Sequence, residues 1–436
     1  MPVTNGALRS ARCALVMACC AVAGLAGTQV ASAATPQLTP PGTYVYVTDL
    51  NSNDMKVINT ATNSVTATVP LNGGPIGVAV SANGKQVYVT NSLSNTVSLV
   101  DATTETVTGS ITVGSDPQAV ALSPDGTRAF VANDGSGTVS VINTATQAVT
   151  GTITVGSHPE AVAFSPDGTR AYVSNTVSNT VSVIDTSSDT VIATVNVGAT
   201  PVGLVVTADG SHVWVGDVGN GTISVIATAN DAVSTINTGG SPYGVTASSD
   251  GRTIYVTDRE TNLLRVINAS TQTVSASIAT GRTPEQIALA PNGSSAYIAD
   301  LSDGTVSVID LGTQTAGTPI TVGTGPLGVA VGTLVQNPTT LTAGTGHLSL
   351  LPLGVTRLNA TLTSNGTPVP GETIAFTAND GTPLCTAVTN ASGYAICDAV
   401  PPILTTVGVL LGGYRATFAG DVYYKPSSAH GSLALL

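Results

Sequence analysis

Seven copies of one short apolar segment, spaced almost without slippage, constrain this chain more than any other feature. Val45-Tyr46-Val47-Thr48-Asp49 recurs as Val87-Tyr88-Val89-Thr90-Asn91 and Ala129-Phe130-Val131-Ala132-Asn133. It returns as Ala171-Tyr172-Val173-Ser174-Asn175, Val213-Trp214-Val215-Gly216-Asp217, Ile254-Tyr255-Val256-Thr257-Asp258 and Ala296-Tyr297-Ile298-Ala299-Asp300. The intervals are 42, 42, 42, 42, 41 and 42 residues. A fixed period in the forties, with strand-like runs inside each unit, is the mark of a β-propeller. The expectation is an all-β chain with a seven-bladed propeller over residues 44–335.

One unit shows why. Pro75 to Ser81 reads as a first strand, closed by the turn Ala82-Asn83-Gly84-Lys85. Asn-Gly and the later Asp125-Gly126 and Asp167-Gly168 favour the positive φ of tight turns. Val87 to Thr90, Thr96 to Val100 and Thr106 to Val113 supply three more strands. A sheet of four such strands is apolar on both faces and cannot bury them alone; packing sheets face to face around an axis does so. The repeat enters at a second-strand segment, Tyr44 to Thr48, and leaves at a first-strand segment, Pro326 to Val331. One blade is therefore expected to be shared between the two ends, pairing edges that would otherwise be open.

Composition agrees with strands and turns: 9% of residues are charged and 4% aromatic, in a chain of 436. Residues 1–33 read as a secretory signal, with Arg9 and Arg12 before the apolar run Cys13 to Ala26 and Ala31-Ser32-Ala33 at a cleavage point. A lipoprotein reading at Cys19 fits less well, because Met17 is a poor match and the preceding apolar stretch is short. The apolar run is too short to span a bilayer, and no sorting motif or transmembrane tail follows. Removing the signal takes the formal charge from −12 to about −14. Such a surface repels phosphate backbones, which argues against nucleic acid as a partner. The expected location is extracellular or cell-surface.

Val87-Tyr88-Val89-Thr90-Asn91, with Ser-Pro-Asp-Gly turns and Val181-Ser182-Val183-Ile184-Asp185, resembles the YVTN-type β-propeller repeats of prokaryotic surface-layer and secreted proteins. That resemblance covers residues 44 to 335. It implies the propeller fold and, for the most part, a non-enzymatic role; an activity does not follow from the fold itself.

After Val335 the period stops. Short alternating runs at Thr356 to Thr363, Glu372 to Ala378, Leu384 to Thr389, Tyr394 to Asp398 and Tyr414 to Ala419 are separated by Gly, Pro and Asn turns. That is the pattern of a small β-sandwich. Gly366-Thr367-Pro368-Val369-Pro370-Gly371 and Phe418-Ala419-Gly420-Asp421 resemble bacterial Ig-like repeat domains, over about residues 340–436. That implies a spacer or adhesive module. Cys385 and Cys397 flank Asn390-Ala391-Ser392-Gly393, so a hairpin there would set them opposite one another for a disulfide, as an oxidising compartment permits.

Two rings of residues invite function. The first closes each second strand: Asp49, Asn91, Asn133, Asn175, Asp217, Asp258 and Asp300. A cation is one reading, but Asx residues cap turns through their own backbone, and a sevenfold structural need explains seven copies. The second surrounds the Pro that opens each first strand: Pro75, Pro117, Pro159, Pro201, Pro242, Pro284 and Pro326. Its neighbours diverge, and Asp116, Gln118, His158, Glu160, Tyr243, Arg282, Glu285 and Gln286 are the candidate ligand-binding residues. His158, Glu160 and Asp116 together could hold a metal or act as acid and base; a solvated acidic rim is the plainer reading.

Among the four histidines there is no HExxH, and no nucleophile elbow or P-loop exists. No catalytic residue and no cofactor is implied; a divalent cation is the one addition these acidic positions leave open. The reading is a secreted, non-enzymatic binding or scaffold protein, whose partner is a cell-surface glycan, a cell-wall component or a protein. The alternative is a metal-assisted propeller lyase or lactone hydrolase using His158 and Glu160. An accessory role in redox or metal export lacks a haem or copper motif.

Overall fold

The computed structural model describes residues 39–349, 355–399 and 413–435. The leader expected at 1–33 lies outside the described residues. The chain divides into two compact units, with the boundary between Leu334 and Val335.

In the first unit each repeat is one antiparallel sheet. The second repeat shows the pattern: Pro75–Val80 pairs with Gln86–Asn91, then Thr96–Asp101, then Thr106–Thr112 outermost. Sheets of the same order open at Pro117–Leu122, Pro159–Phe164, Pro201–Val206, Pro242–Ala247 and Pro284–Leu289. The first repeat lacks an inner strand of its own. Pro326–Leu334 fills that place and pairs antiparallel with Gly42–Asp49, from Gly42↔Leu334 to Asp49↔Pro326. The inner strands touch in sequence and the last returns to Pro75–Val80, so the ring closes.

The strands form because their alternating β-branched residues are buried on both faces. In one interface Tyr172, Val181, Val183 and Val195 of one sheet pack on Leu204, Val206, Val213 and Val215 of the next. Each fully buried side chain of this size contributes about 1.5–3 kcal/mol, as an upper estimate. Ser-Pro-Asp-Gly turns cap the hairpins: Ser123 Oγ donates to Asp125 Oδ1 at 2.6 Å, with the Thr127 amide on the same oxygen. These donors hold the Asp125 carboxyl below its ordinary range.

The fourth residue of the repeated segment fastens neighbouring sheets. Thr90 Oγ1 accepts from the Gly77 amide of its own sheet at 2.7 Å and donates to the Gln118 carbonyl of the next at 2.9 Å. Thr48, Ser174 and Thr257 do the same towards Ile76, Val202 and Glu285. Ala132, Gly216 and Ala299 have no hydroxyl, so three seams lack the clasp. Close approach of inner strands also needs glycine. A Cβ on Gly328 would lie 2.1 Å from the Ile76 carbonyl oxygen, and one on Gly203 2.2 Å from that of Tyr243.

The Asx ring is buried and structural, and only part of it follows the backbone-capping expectation. Asp49 Oδ1 accepts from the Asn51 and Ser52 amides, and Asp258 Oδ1 accepts from Glu260 and Thr261. Elsewhere the partner is a hydroxyl on the third strand. Asn91 Nδ2 donates to Ser98 Oγ at 2.9 Å, whereas at Asp217 and Asp300 the Ser224 and Ser307 hydroxyls donate to Oδ2 at 2.7 Å.

The second unit contains two sheets. One pairs Val355–Ser364 with Thr340–Ala343, Gly346–Ser349, Thr367–Pro368 and Tyr394–Ala399; Leu433–Leu435 adds to it in parallel. The other runs Pro383–Val388, Thr373–Ala378, Tyr414–Phe418, Ser427–Gly431. Leu358, Leu362 and Ala395 from the first share a core with Ile374, Phe376 and Phe418 from the second. Cys385 and Cys397 are bonded, with Cα atoms 6.4 Å apart. The hairpin expected to join them is not there: Cys385 pairs with Phe376 in one sheet and Cys397 with Leu358 in the other. The disulfide links sheet to sheet.

Candidate functional site

The turn leading into each inner strand has one backbone design. The amide after the Asx residue donates to the carbonyl before the Pro, as in Asp134 to Asp116, Thr176 to His158 and Arg259 to Ser241. That pre-proline residue is left-handed in five repeats: Gly74, Asp116, His158, Thr200 and Thr283, with φ between 53° and 70°. The region disfavours most side chains but accepts Asp and His more readily than others. Gly74, Asp116 and His158 suit that geometry, whereas the β-branched Thr200 and Thr283 do not.

The next residues turn inward. Inner-strand positions from all around the ring line one cavity of about 170 Å³, into which Gln118, Glu160, Tyr243, Glu285 and Gln286 contribute the polar surface. Val78, Val120, Val162 and Leu204 form part of its apolar wall. Of the eight candidate residues, the structure brings these five together. Asp116, His158 and Arg282 are outside the lining: Asp116 accepts from Gln118 Nε2 at 2.6 Å, and Arg282 pairs with Asp303 at 2.6 Å on the surface. His158 Nδ1 meets Asp134 Oδ1 at 2.8 Å, the ring being 43% exposed and the carboxylate 2%.

Inside the mouth, Tyr243 OH reaches Glu160 Oε1 at 3.4 Å, across the intervening strand that carries Val202. Arg259 lies over the Tyr243 ring, 4.1 Å from its centroid, and its guanidinium pairs with buried Glu285 in the next sheet. Burial works against the guanidinium charge, but Glu285, Tyr243 and Glu160 outweigh it and hold Arg259 above its ordinary value. Arg259 and Asp134 escaped the sequence reading. Both occupy the position just after the Asx residue, where the other repeats carry Leu50, Ser92, Thr176, Val218 and Leu301. A charge in only two of seven copies was the available signal.

Chemically, the mouth offers two carboxylates, one of them paired with Arg259, a phenol and two carboxamides on an aliphatic wall. Among the described residues no group of three or more His, Cys, Asp or Glu is placed to hold a metal ion.

The profile of the YNCE-like β-propeller family matches residues 78–170. The first unit is a β-propeller. Solved structures agree on that fold. A hydrazine synthase chain from Kuenenia stuttgartiensis superposes with TM-score 0.57 at 23% identity, over 65% of this chain and 99% of its own. A functionally unknown protein from Desulfotomaculum acetoxidans gives TM-score 0.59 at 17% identity, over 66% and 99%. A putative 6-phosphogluconolactonase from Bacteroides uniformis gives 0.57 at 18%, over 67% and 100%. No curated protein sequence matches the chain. No helix among the described residues is long and apolar enough to cross a membrane.

Proposed function

We propose that this chain is a secreted, non-enzymatic binding protein, a seven-bladed propeller followed by an Ig-like spacer, whose ligand enters the propeller mouth. The observation that carries the reading is the convergence of Gln118, Glu160, Tyr243, Glu285 and Gln286 on one cavity. The backbone repeats around the ring while the side chains at these positions diverge. A structural turn alone does not ask for that divergence, since Ile76, Val202 and Leu327 serve at equivalent places. The lining carries Glu160 and Glu285 and no basic residue, and Arg259 is engaged by Glu285. A neutral polyhydroxylated or cationic ligand fits that balance better than a phosphate. Surface glycans and cell-wall components supply such groups.

The propeller of a putative lactonase shares the fold, and fold is as far as 18% identity carries. A lyase or lactone hydrolase built on His158 and Glu160 needs the two to act together. His158 is bonded to Asp134 outside the lining, while Glu160 belongs to the cavity with Tyr243. The binding reading is therefore preferred.

A screen of cell-wall fragments, glycans and amines against the purified chain tests it. Glu160→Gln combined with Tyr243→Phe should weaken the hit at least about tenfold, near 1.4 kcal/mol, with little change in melting temperature. Unchanged affinity places the site elsewhere.

A further inference from the structure

The outermost strand of each propeller sheet presents an unpaired backbone edge, and an exposed regular edge is a template for another strand. Five of these strands are blunted in the same way. Thr66, Thr108, Thr150, Ile192 and Ser275 are each an extra residue against the neighbouring strand, making a β-bulge. Thr66, Thr108, Thr150 and Ser275 also turn their hydroxyls onto a carbonyl of that neighbour, at 3.0–3.3 Å. In the last repeat the edge is broken into Thr315–Ala316 and Ile320–Thr321, with Pro319 between them. Bulges and Pro are the devices by which sheets avoid edge pairing.

Ala232–Asn237 has neither. It pairs with Thr222–Ala227 in unbroken register from Thr222↔Asn237 to Ala227↔Ala232. Val225↔Ser234 and Ile226↔Val233 correspond to Val183↔Ala193 and Ile184↔Val191 one repeat earlier, where Ile192 is the extra residue. The residue missing here lies between Val233 and Ser234. That deletion is the one 41-residue interval in the repeat. The strand contains no charge and no Pro, and Val233 is exposed. Among the described residues no strand pairs with its other side.

We infer that Ala232–Asn237 is a docking edge, and that its occupant is the same strand of a second copy, joining two sheets into one continuous antiparallel sheet. A regular ladder needs a partner without a bulge, and among the described propeller edges this chain supplies that strand once. Antiparallel pairing sets the two copies of Asp231, just before the strand, at opposite ends of the ladder, so like charges do not meet. Pairing of this edge with its own copy uses the same surface on both molecules, so it closes at two rather than building a fibre. Six residues make a short ladder, so the pair is weak and reversible.

Sedimentation of the full chain over a concentration series tests this. The wild type should pass from monomer to dimer. Inserting Thr between Val233 and Ser234 restores the 42-residue spacing found elsewhere, and should raise the dimer dissociation constant at least about tenfold. Val233→Lys, which leaves the chain length alone, should do the same while the melting temperature holds. A wild type that stays monomeric throughout overturns the inference. So does a Val233→Lys variant that dimerises as tightly as the wild type.

Discussion

Arg259 lies 4.1 Å over the ring of Tyr243 while its guanidinium pairs with Glu285 on the neighbouring sheet. One side chain thus holds an aromatic wall of the cavity in place and neutralises a carboxylate that is 1% exposed. Removing it should strand that charge. Arg259→Ala is expected to cost about 3–5 kcal/mol, read by denaturant unfolding. Combining it with Glu285→Gln should recover a large part of the loss, because the unpaired charge is then gone. Equal losses for the single and double variants would show that the pair is not what stabilises the mouth.

The Asx ring gives a pH prediction. Asp217 and Asp300 are fully buried, and burial pushes each carboxyl up to about 6, despite hydroxyl donors that pull the other way. A carboxyl raised on folding favours the folded state where it is protonated. Its contribution is full below the ordinary value of 3.8 and is lost as pH rises through about 6. Asn91, Asn133 and Asn175 fill the same place without this dependence. Asp217→Asn and Asp300→Asn should therefore stabilise the propeller at about pH 8, on the order of 2 kcal/mol each. Near pH 4 they should change little. Melting curves across that range check it, and variants that destabilise at pH 8 would refute it.

The Cys385–Cys397 bond should matter to the second unit alone. It closes a separation of 12 residues and ties together two sheets that share one core. Reduction should lower the stability of that unit on the order of 3 kcal/mol by the loop-entropy estimate. The propeller transition should stay where it was. Calorimetry with and without reductant separates the two transitions, and a propeller shift of the same size would contradict the assignment.

The ring was legible because the same physical demand is written seven times. An aromatic residue followed by Val or Ile, Pro at each inner strand and Gly, Asn or Asp in many of the hairpins fix strands and turns locally, and their spacing fixes the neighbours. The site was legible only in part, since the sequence places Asp116 and Gln118 on either side of Pro117 while only Gln118 lines the cavity. Arg259 stayed hidden because its role depends on a residue in the next sheet. The cysteine pair shows a different failure. Asn390 and Gly393 do form the expected turn, with Gly393 donating to the Asn390 carbonyl at 2.9 Å. A turn does not choose the partner of the strands that leave it, and these go to separate sheets.

The antiparallel pairing of Gly42–Asp49 with Pro326–Leu334 also decides how the ring would yield under load. Gly42 and Leu334 are the paired residues at one end of that ladder. They are also where the chain enters and leaves this blade, Gly42 standing three residues after Thr39, whose amide donates to the Thr103 carbonyl of the second repeat at 2.7 Å. A pull transmitted along the polypeptide through these two points would load the rungs one after another, from Gly42↔Leu334 towards Asp49↔Pro326, rather than all together. The seam from the last sheet into this strand has Ala299 where four others have a hydroxyl, so, as at Ala132 and Gly216, no clasp reinforces it. Once the bond from Thr39 to Thr103 gives, tension along the chain would open the propeller at its closure, one rung at a time.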